Sequence, residues 1–384
     1  MPARRKIAVI SLTRSPPAPV ATKSTLLALK AAFPDDELDV IYVLDLLKRS
    51  RLRMVFAGLC ALFTYLPDLL QRRKRLKYAF FRTAFVFRWI KRVMSERIDP
   101  DQHAFSFQIQ SLFDASVPGV PNFVYTDHVH LENLKFDGFT TDDLYSSGWR
   151  ACEREIYHNA AKVFTWSSNV SRALIEDYQM DPERIACVYT GSNSPVPQAQ
   201  LADPVRYERK EILFIGLDWQ RKGGPILLRA FRKLRERHPS ATLTVASRVP
   251  EDEDLGGVNY VGLMPLDKIP EFYARASVFC MPTQLEPFGN VFVEAMWHQL
   301  PIVATRVGAL PDIVEDGVNG FLVPPGDADV LADRLSELLD DPERCARMGM
   351  ASRERAAGRY DWPLVARDMR ARIEATLAAG DDTR

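Results

Sequence analysis

Short runs of β-branched and aliphatic residues alternate with helix-patterned stretches along the chain, and this rhythm constrains the fold more than any other feature. Lys6 to Leu12, Leu38 to Leu44, Ala104 to Ile109, Phe123 to Tyr125, Lys162 to Trp166 and Ile185 to Tyr189 read as strands. Thr22 to Ala32, Ser147 to Ala160 and Asn169 to Tyr178 read as helices between them. Alternating strands and helices argue a parallel sheet with helices on both faces. From Gly191 to Pro204 the composition shifts to Ser, Asn, Pro, Gln and Ala, which reads as an interdomain linker. A second series follows, with strands at 211–216, 241–246, 258–262, 277–281, 301–305 and 320–323 and helices at 225–238, 266–275, 289–299, 310–315, 327–339 and 341–357. The expectation is an α/β chain of two Rossmann-like doubly wound domains, residues 1–195 and 205–360, facing each other across a cleft. Open sheets of this kind bind ligands at the carboxyl ends of their strands, so the cleft is the expected site.

Composition removes several classes. The chain of 384 residues carries 50 basic and 50 acidic side chains, and this neutrality argues against nucleic acid as a partner. Its five cysteines are scattered without a C-x-x-C pair and read as reduced core thiols. The basic start, Arg4-Arg5-Lys6, precedes an apolar run too short for a signal peptide, so the expected location is cytoplasmic. The neutrality hides one uneven segment. Between Lys48 and Arg97 lie 14 Lys and Arg against Asp68 and Glu96. This segment also holds thirteen uncharged residues, Met54 to Leu66, too few to span a bilayer. Six aromatics lie between Tyr78 and Trp89, on two sides of a helical wheel. The whole of 48–97 is expected to contact an anionic membrane surface, placing the protein on the cytoplasmic face. The alternative is a pair of domain helices with a solvated basic surface.

Two strand-to-helix turns carry the chemistry. The first runs Pro282-Thr283-Gln284-Leu285-Glu286-Pro287-Phe288-Gly289-Asn290-Val291-Phe292-Val293-Glu294. First-turn amides at Phe288, Gly289, Asn290 and Val291 form an anion site, because those N–H groups lack intrahelical partners. Glu286 and Glu294 flank it, and a carboxylate accepts two hydrogen bonds from a vicinal diol. The plainer reading has Glu286 capping the helix and Glu294 on the surface. The second stretch, Phe214 to Gly224, contains Arg221, Lys222 and the pair Gly223-Gly224. Two cations in a glycine-flanked loop suit a diphosphate.

Together these stretches resemble glycosyltransferase family 4, the retaining group 1 glycosyltransferases of GT-B fold, over about residues 205–365. Glu286 and Glu294 match the family's paired glutamates, and Arg221-Lys222-Gly223 matches its phosphate-binding loop. Val303 to Ala309 and Asp316 to Val323 look like the segments that follow. The resemblance implies that Glu286 contacts the donor sugar, Glu294 the ribose, Arg221 and Lys222 the diphosphate, and the backbone of Gly262 and Leu263 the base. It implies a nucleotide-sugar donor, most readily a UDP- or GDP-sugar, no cofactor and no metal. It also implies that the last helix, 362–379, returns to the N-terminal domain. The first half resembles the family more loosely. Pro121 to His130 occupies the place of a histidine facing the transferred sugar, with His128 ahead of His130 and Asp127 and His130 on the acceptor side. Phe164 to Val170 also looks like the family's strand-to-helix turn, whose Ser and Asn could simply cap the helix. Ser11 to Val20 departs from the family, since it holds no glycine where many members carry a glycine-rich loop.

The expected activity is transfer of a sugar with retention to a hydroxyl of a lipid-linked or cell-surface glycan precursor. The alternatives are a nucleotide-sugar epimerase, a sugar phosphorylase of the same fold, or a catalytically silent membrane-associated scaffold. Asp-x-Asp pairs at 99/101, 252/254 and 327/329 raise a metal-dependent reading, but each lies in a polar turn or at a helix start.

Overall fold

The computed structural model describes residues 6–16, 19–197, 204–248 and 256–381. The chain divides into two units: residues 1–189 with 362–384, and residues 190–361.

The first unit is built on strands β1 (Lys6–Ser11), β2 (Leu38–Tyr42), β3 (His103–Ile109), β4 (Asn122–Thr126), β5 (Lys162–Thr165) and β6 (Ile185–Cys187). They form one all-parallel sheet in the order β2-β1-β3-β4-β5-β6. Its helices are α1 (Val20–Ala32), α2 (Val43–Leu47), α3 (Arg51–Leu70), α4 (Leu76–Ala79), α5 (Ala84–Arg97), α6 (Ser147–Asn159) and α7 (Ser168–Glu176). The second strand stops at Tyr42, and Val43 and Leu47 bury one face of a short helix, α2, where the expected strand continued to Leu44.

The basic segment is helical, and its aromatics correct one expectation. Phe87 and Trp89 are buried, and Phe80, Phe81 and Phe85 pack against the core. Helix α5 is wedged between two apolar clusters: Val86, Trp89, Ile90 and Met94 face one, Phe87 the other. Two buried faces explain aromatics on two sides of the wheel, and these side chains are not a membrane patch. Helix α3 also runs past the uncharged stretch, through Pro67 to Leu70, with a break at Tyr65 (φ −120°, ψ 18°). Proline removes a backbone donor and crowds the preceding turn, which accounts for the break.

The second unit holds β7 (Glu211–Ile215), α8 (Gly224–Arg237), β8 (Thr242–Ala246), β9 (Val258–Tyr260), α9 (Ile269–Arg275), β10 (Val278–Met281), α10 (Asn290–Trp297), β11 (Ile302–Thr305), α11 (Leu310–Ile313), β12 (Gly320–Val323), α12 (Ala328–Asp340) and α13 (Pro342–Arg359). Its sheet is also all parallel, ordered β12-β11-β10-β7-β8-β9. Strands β10, β11 and β12 are buried at every position, as a sheet covered on both faces requires. The chain order reverses between β7 and β10, which makes their carboxyl ends the topological switch point. The last helix, α14 (Trp362–Asp381), belongs to the first unit. It packs on α1, where Arg370 donates to Ala32 O at 2.8 Å and covers the Phe33 ring.

Candidate functional site

In the second unit the loops after β7 and β10 meet at the switch point. Gln284 N–H and the Thr283 hydroxyl donate to Arg221 O at 2.9 and 3.2 Å. Arg221 Nη1 donates to Leu285 O at 2.6 Å. Gly223 holds φ +78°, and a Cβ there would lie 1.9 Å from Pro282 O. The two loops are therefore one unit of backbone, and glycine is required where they touch.

Lys222 and Glu286 are joined directly, as a buried salt bridge between Lys222 Nζ and Glu286 Oε2. Burial pushes the Lys222 ammonium down, Glu286 opposes that shift, and Arg221 adds to it. The helix-cap reading of Glu286 does not hold: Gly289 is the N-cap of α10, at φ +95°, and no side chain caps the helix. The first-turn N–H groups of Asn290 and Val291 thus lack intrahelical acceptors. Phe288 is buried against the Tyr360 ring, so its contribution to an anion site would be its backbone. Asn290 Oδ1 is buried without a hydrogen-bond partner.

Glu294 is not a surface residue. It is 8% exposed and accepts from the Tyr273 hydroxyl at 3.1 Å and from Ser194. Burial raises its pKa, and those two donors partly offset the rise. Ser194 comes from the stretch that reads as a linker. Its neighbours Thr190 Oγ1 and Asn193 Oδ1 are buried without partners. A segment of small polar residues thus supplies a donor to Glu294. Residues 198–203 of that stretch lie outside the described residues. Gly262 (φ +70°) and the half-exposed Leu263 follow edge strand β9, two strands from β7.

In the first unit the two histidines have different surroundings. His130 is buried between Tyr145 and Trp149, its ring centroid 5.2 Å from each. Its Nε2 accepts from Tyr145 N–H at 2.9 Å, and Asn133 Nδ2 lies 3.2 Å from its Nδ1. Both ring nitrogens are engaged, so His130 holds the loop and is not free to meet an acceptor. His128 is partly exposed, with Nδ1 3.4 Å from Glu132 Oε2. Burial disfavours its charged form, but Glu132, Asp127 and Glu153 outweigh that and raise its pKa. Burial raises the pKa of the half-buried Asp127. Glu132 is 2% exposed and also accepts from Asn169 Nδ2. Ser167 is the N-cap of α7 but makes no side-chain capping bond, and its Oγ and Asn169 Oδ1 are buried without partners. The turns after β4 and β5 thus bring His128, Glu132 and Asn169 together. Glu132 was missed in the sequence reading; its signal is a carboxylate four residues after His128, within reach on one turn.

The expected effect of His130 concerns acid stability. Burial foremost, then Arg82, His128, Arg150 and Lys74, push its pKa from 6.5 down to about 3. Protonation at Nε2 would also break the bond from Tyr145. The unfolded chain takes up this proton below pH 6.5 and the folded chain does not. Stability is therefore full above 6.5 and is lost as pH falls toward 3, by up to about 1.4 kcal/mol per pH unit. His130→Gln keeps an acceptor for Tyr145 and is expected to flatten that slope. Urea unfolding across this range checks it, and an unaltered slope would contradict the assignment.

Among the described residues no three His, Cys, Asp or Glu side chains stand where they could hold a metal ion. Asp327 accepts from Asp329 N–H and Val330 N–H as the N-cap of α12, and Asp99 accepts from Asp101 N–H. The pair 252/254 lies outside the described residues.

Residues 209–341 match the family model Glycosyl transferases group 1. That stretch lies within the second unit and contains Lys222, Glu286 and Glu294. The chain is 30% identical over 250 residues to the D-inositol 3-phosphate glycosyltransferase of Corynebacterium diphtheriae, covering 59% of this chain and 58% of that protein. It is 32% identical over 195 residues to the GDP-mannose-dependent alpha-(1-6)-phosphatidylinositol monomannoside mannosyltransferase of Mycolicibacterium smegmatis, covering 46% and 51%. The chain thus spans about half to three fifths of the length of these relatives. Among solved structures it matches sucrose-phosphate synthase from Thermosynechococcus elongatus with a TM-score of 0.69 at 18% identity, over 98% of this chain and 100% of that one. It matches Anabaena HepE in complex with UDP-glucose with a TM-score of 0.62 at 16% identity, over 97% and 99%. The fold is that of the GT-B glycosyltransferases.

Proposed function

We propose that this chain is a retaining glycosyltransferase that moves a sugar from a UDP- or GDP-sugar to a hydroxyl of a lipid-linked or cell-surface glycan precursor. The observation that carries the reading is the Lys222–Glu286 pair beside the uncapped start of α10, at the switch point of a sheet whose residues match the group 1 glycosyl transferase model. Residues 205–360 would bind the donor, and the first unit the acceptor. The relatives act on inositol phosphate and phosphatidylinositol mannoside, which supports an acceptor of sugar or glycolipid type. Retention rests on the family resemblance.

The chemistry follows from the residues. The diphosphate sits against the first-turn amides of α10, with Arg221 and Lys222 neutralising the charge that grows as the glycosidic bond breaks. Glu286, released from Lys222 as the diphosphate takes that cation, holds hydroxyls of the transferred sugar. Glu294 holds the ribose diol. His128, its pKa raised by Glu132 and Asp127 against burial, would orient a hydroxyl, a role that rests on the family resemblance. These charges neutralise the leaving group without a metal ion. The buried pairing and hydrogen bonding of Glu286, Lys222 and Glu294 give no support to a silent scaffold.

Calorimetry across UDP-, GDP-, ADP- and dTDP-sugars, with and without EDTA, tests the donor class, and the anomeric configuration of the product tests retention. Glu294→Ala is expected to weaken donor and free nucleoside diphosphate alike by about 1–3 kcal/mol, the loss of a charged hydrogen bond. Glu286→Gln is expected to lower turnover while diphosphate affinity does not fall, since Lys222 is then free of its competing carboxylate. Unchanged diphosphate affinity in folded Glu294→Ala would remove Glu294 from the ribose. A strict requirement for a divalent cation would remove the metal-free mechanism.

A further inference from the structure

We propose that the outer face of α3 is a docking surface for an anionic lipid bilayer, lying in the headgroup plane. A surface helix ordinarily turns its large apolar side chains inward. Helix α3 does the reverse. The small residues Ala57 and Ala61, with Tyr65, face the domain and are buried. Leu52, Phe56, Leu59, Phe63, Leu66 and Leu70 are all exposed, Leu52 by 87% and Phe63 by 75%. Leu52, Phe56, Leu59 and Phe63 recur at steps of four and three residues, which places them in one stripe up to the break at Tyr65, and Leu66 and Leu70 continue the exposed apolar surface beyond it. An exposed apolar surface of this size marks a binding face.

Charge identifies what binds. Exposed Arg49, Arg51 and Arg53 flank one end of the stripe, and Arg72, Arg73 and Lys77 the other. The only acid of α3, Asp68, is taken up by Lys74 at 2.9 Å. Cations at both ends complement lipid phosphates while the stripe enters the acyl boundary. A second copy of the chain fits less well. Pairing α3 with itself, parallel or antiparallel, sets basic end against basic end.

The helix lies along the membrane rather than through it. At 20 residues it is long and apolar enough to cross a bilayer by length and composition. Its inner stripe is held to the domain, however. The Tyr65 hydroxyl donates to Arg82 O, lies 3.0 Å from Ser146 Oγ and accepts from Ser146 N–H at 3.2 Å. The benefit of such a surface, access to a lipid-linked acceptor, rests on the proposed function; the binding itself does not.

Co-sedimentation of the full chain with vesicles tests this without donor or acceptor. The vesicles are phosphatidylcholine alone and an equal mixture with phosphatidylglycerol, at low and high salt. Wild type is expected to pellet with the anionic mixture at low salt and to retain a reduced, salt-resistant fraction at high salt. Leu59→Glu with Phe63→Glu, both at exposed positions, is expected to keep the melting temperature and to lower binding by more than about tenfold. Arg72→Ser with Arg73→Ser and Lys77→Ser is expected to abolish the preference for phosphatidylglycerol. Wild type left in the supernatant with anionic vesicles at low salt would overturn the proposal. So would undiminished binding of the glutamate variant. A lipid-independent dimer in sedimentation velocity that Phe63→Glu dissociates would assign the face to a second copy instead. None of these outcomes bears on sugar transfer, and a failed donor screen would leave the vesicle result standing.

Discussion

Lys222→Ala is expected to lower the rate of sugar transfer by about 10²–10³-fold, since a preorganised charge on the leaving group acts mainly in the transition state. It is also expected to destabilise the second unit. Removing the cation leaves Glu286 buried without its partner, and breaking a buried pair in this way costs about 3 kcal/mol. A single variant confounds these two effects, so the informative experiment is a double-mutant cycle. Lys222→Met combined with Glu286→Gln removes both charges and conserves volume. Stability by urea unfolding is expected to return close to wild type, while transfer stays lost. If the double variant recovers activity along with stability, the pair is structural and the diphosphate is neutralised elsewhere. If it stays as unstable as Lys222→Ala, the pair is not an isolated electrostatic unit.

Gly223→Ala is expected to be the most damaging single-methyl change in the second unit. The residue sits at φ +78°, where a side chain is strained, and its Cβ would meet Pro282 O at 1.9 Å and Pro282 C at 2.6 Å. These atoms belong to the β10 loop, so the methyl must push apart the two loops that form the site. A loss of roughly 2–4 kcal/mol is expected from strain and overpacking together. Nucleoside diphosphate affinity is expected to fall with it. Gly317→Ala is the control: φ is +80° there, but nothing lies within 4 Å of the added Cβ. It carries only the left-handed backbone term, about 1–2 kcal/mol. Thermal unfolding of the two variants beside wild type separates contact from conformation. Equal losses would mean that the loops accommodate the methyl without moving.

Much of the fold was legible in the sequence because its signals are local. Strand runs such as Ile212 to Ile215 and Val278 to Met281 alternate with amphipathic helices, and that pattern alone demands parallel sheets. The turns at 216–224 and 282–290 declare themselves through glycine, proline and charge within a dozen residues. The aromatics of α5 misled for the same reason. A period computed on one helix counts apolar faces but cannot tell a lipid from a second layer of core.

What only the tertiary structure decided lies between residues far apart in the chain. Lys222 and Glu286, given separate partners on sequence grounds, are paired across 64 positions, because β7 and β10 are neighbours in the sheet although β8 and β9 lie between them in sequence. Ser194 reaches Glu294 from a stretch with no periodicity of its own. His128 and His130 are two residues apart and equivalent as letters. The packing of Tyr145 and Trp149 buries one, and Glu132 raises the pKa of the other against its burial. In α3 the sequence determined a long apolar helix, and the small Ala57 and Ala61 let it lie close to the domain. Only the packing revealed that its large side chains point outward. Periodicity and turn chemistry act over a few residues and survive in the sequence; which faces meet depends on strand order and burial, which exist only once the sheets have formed.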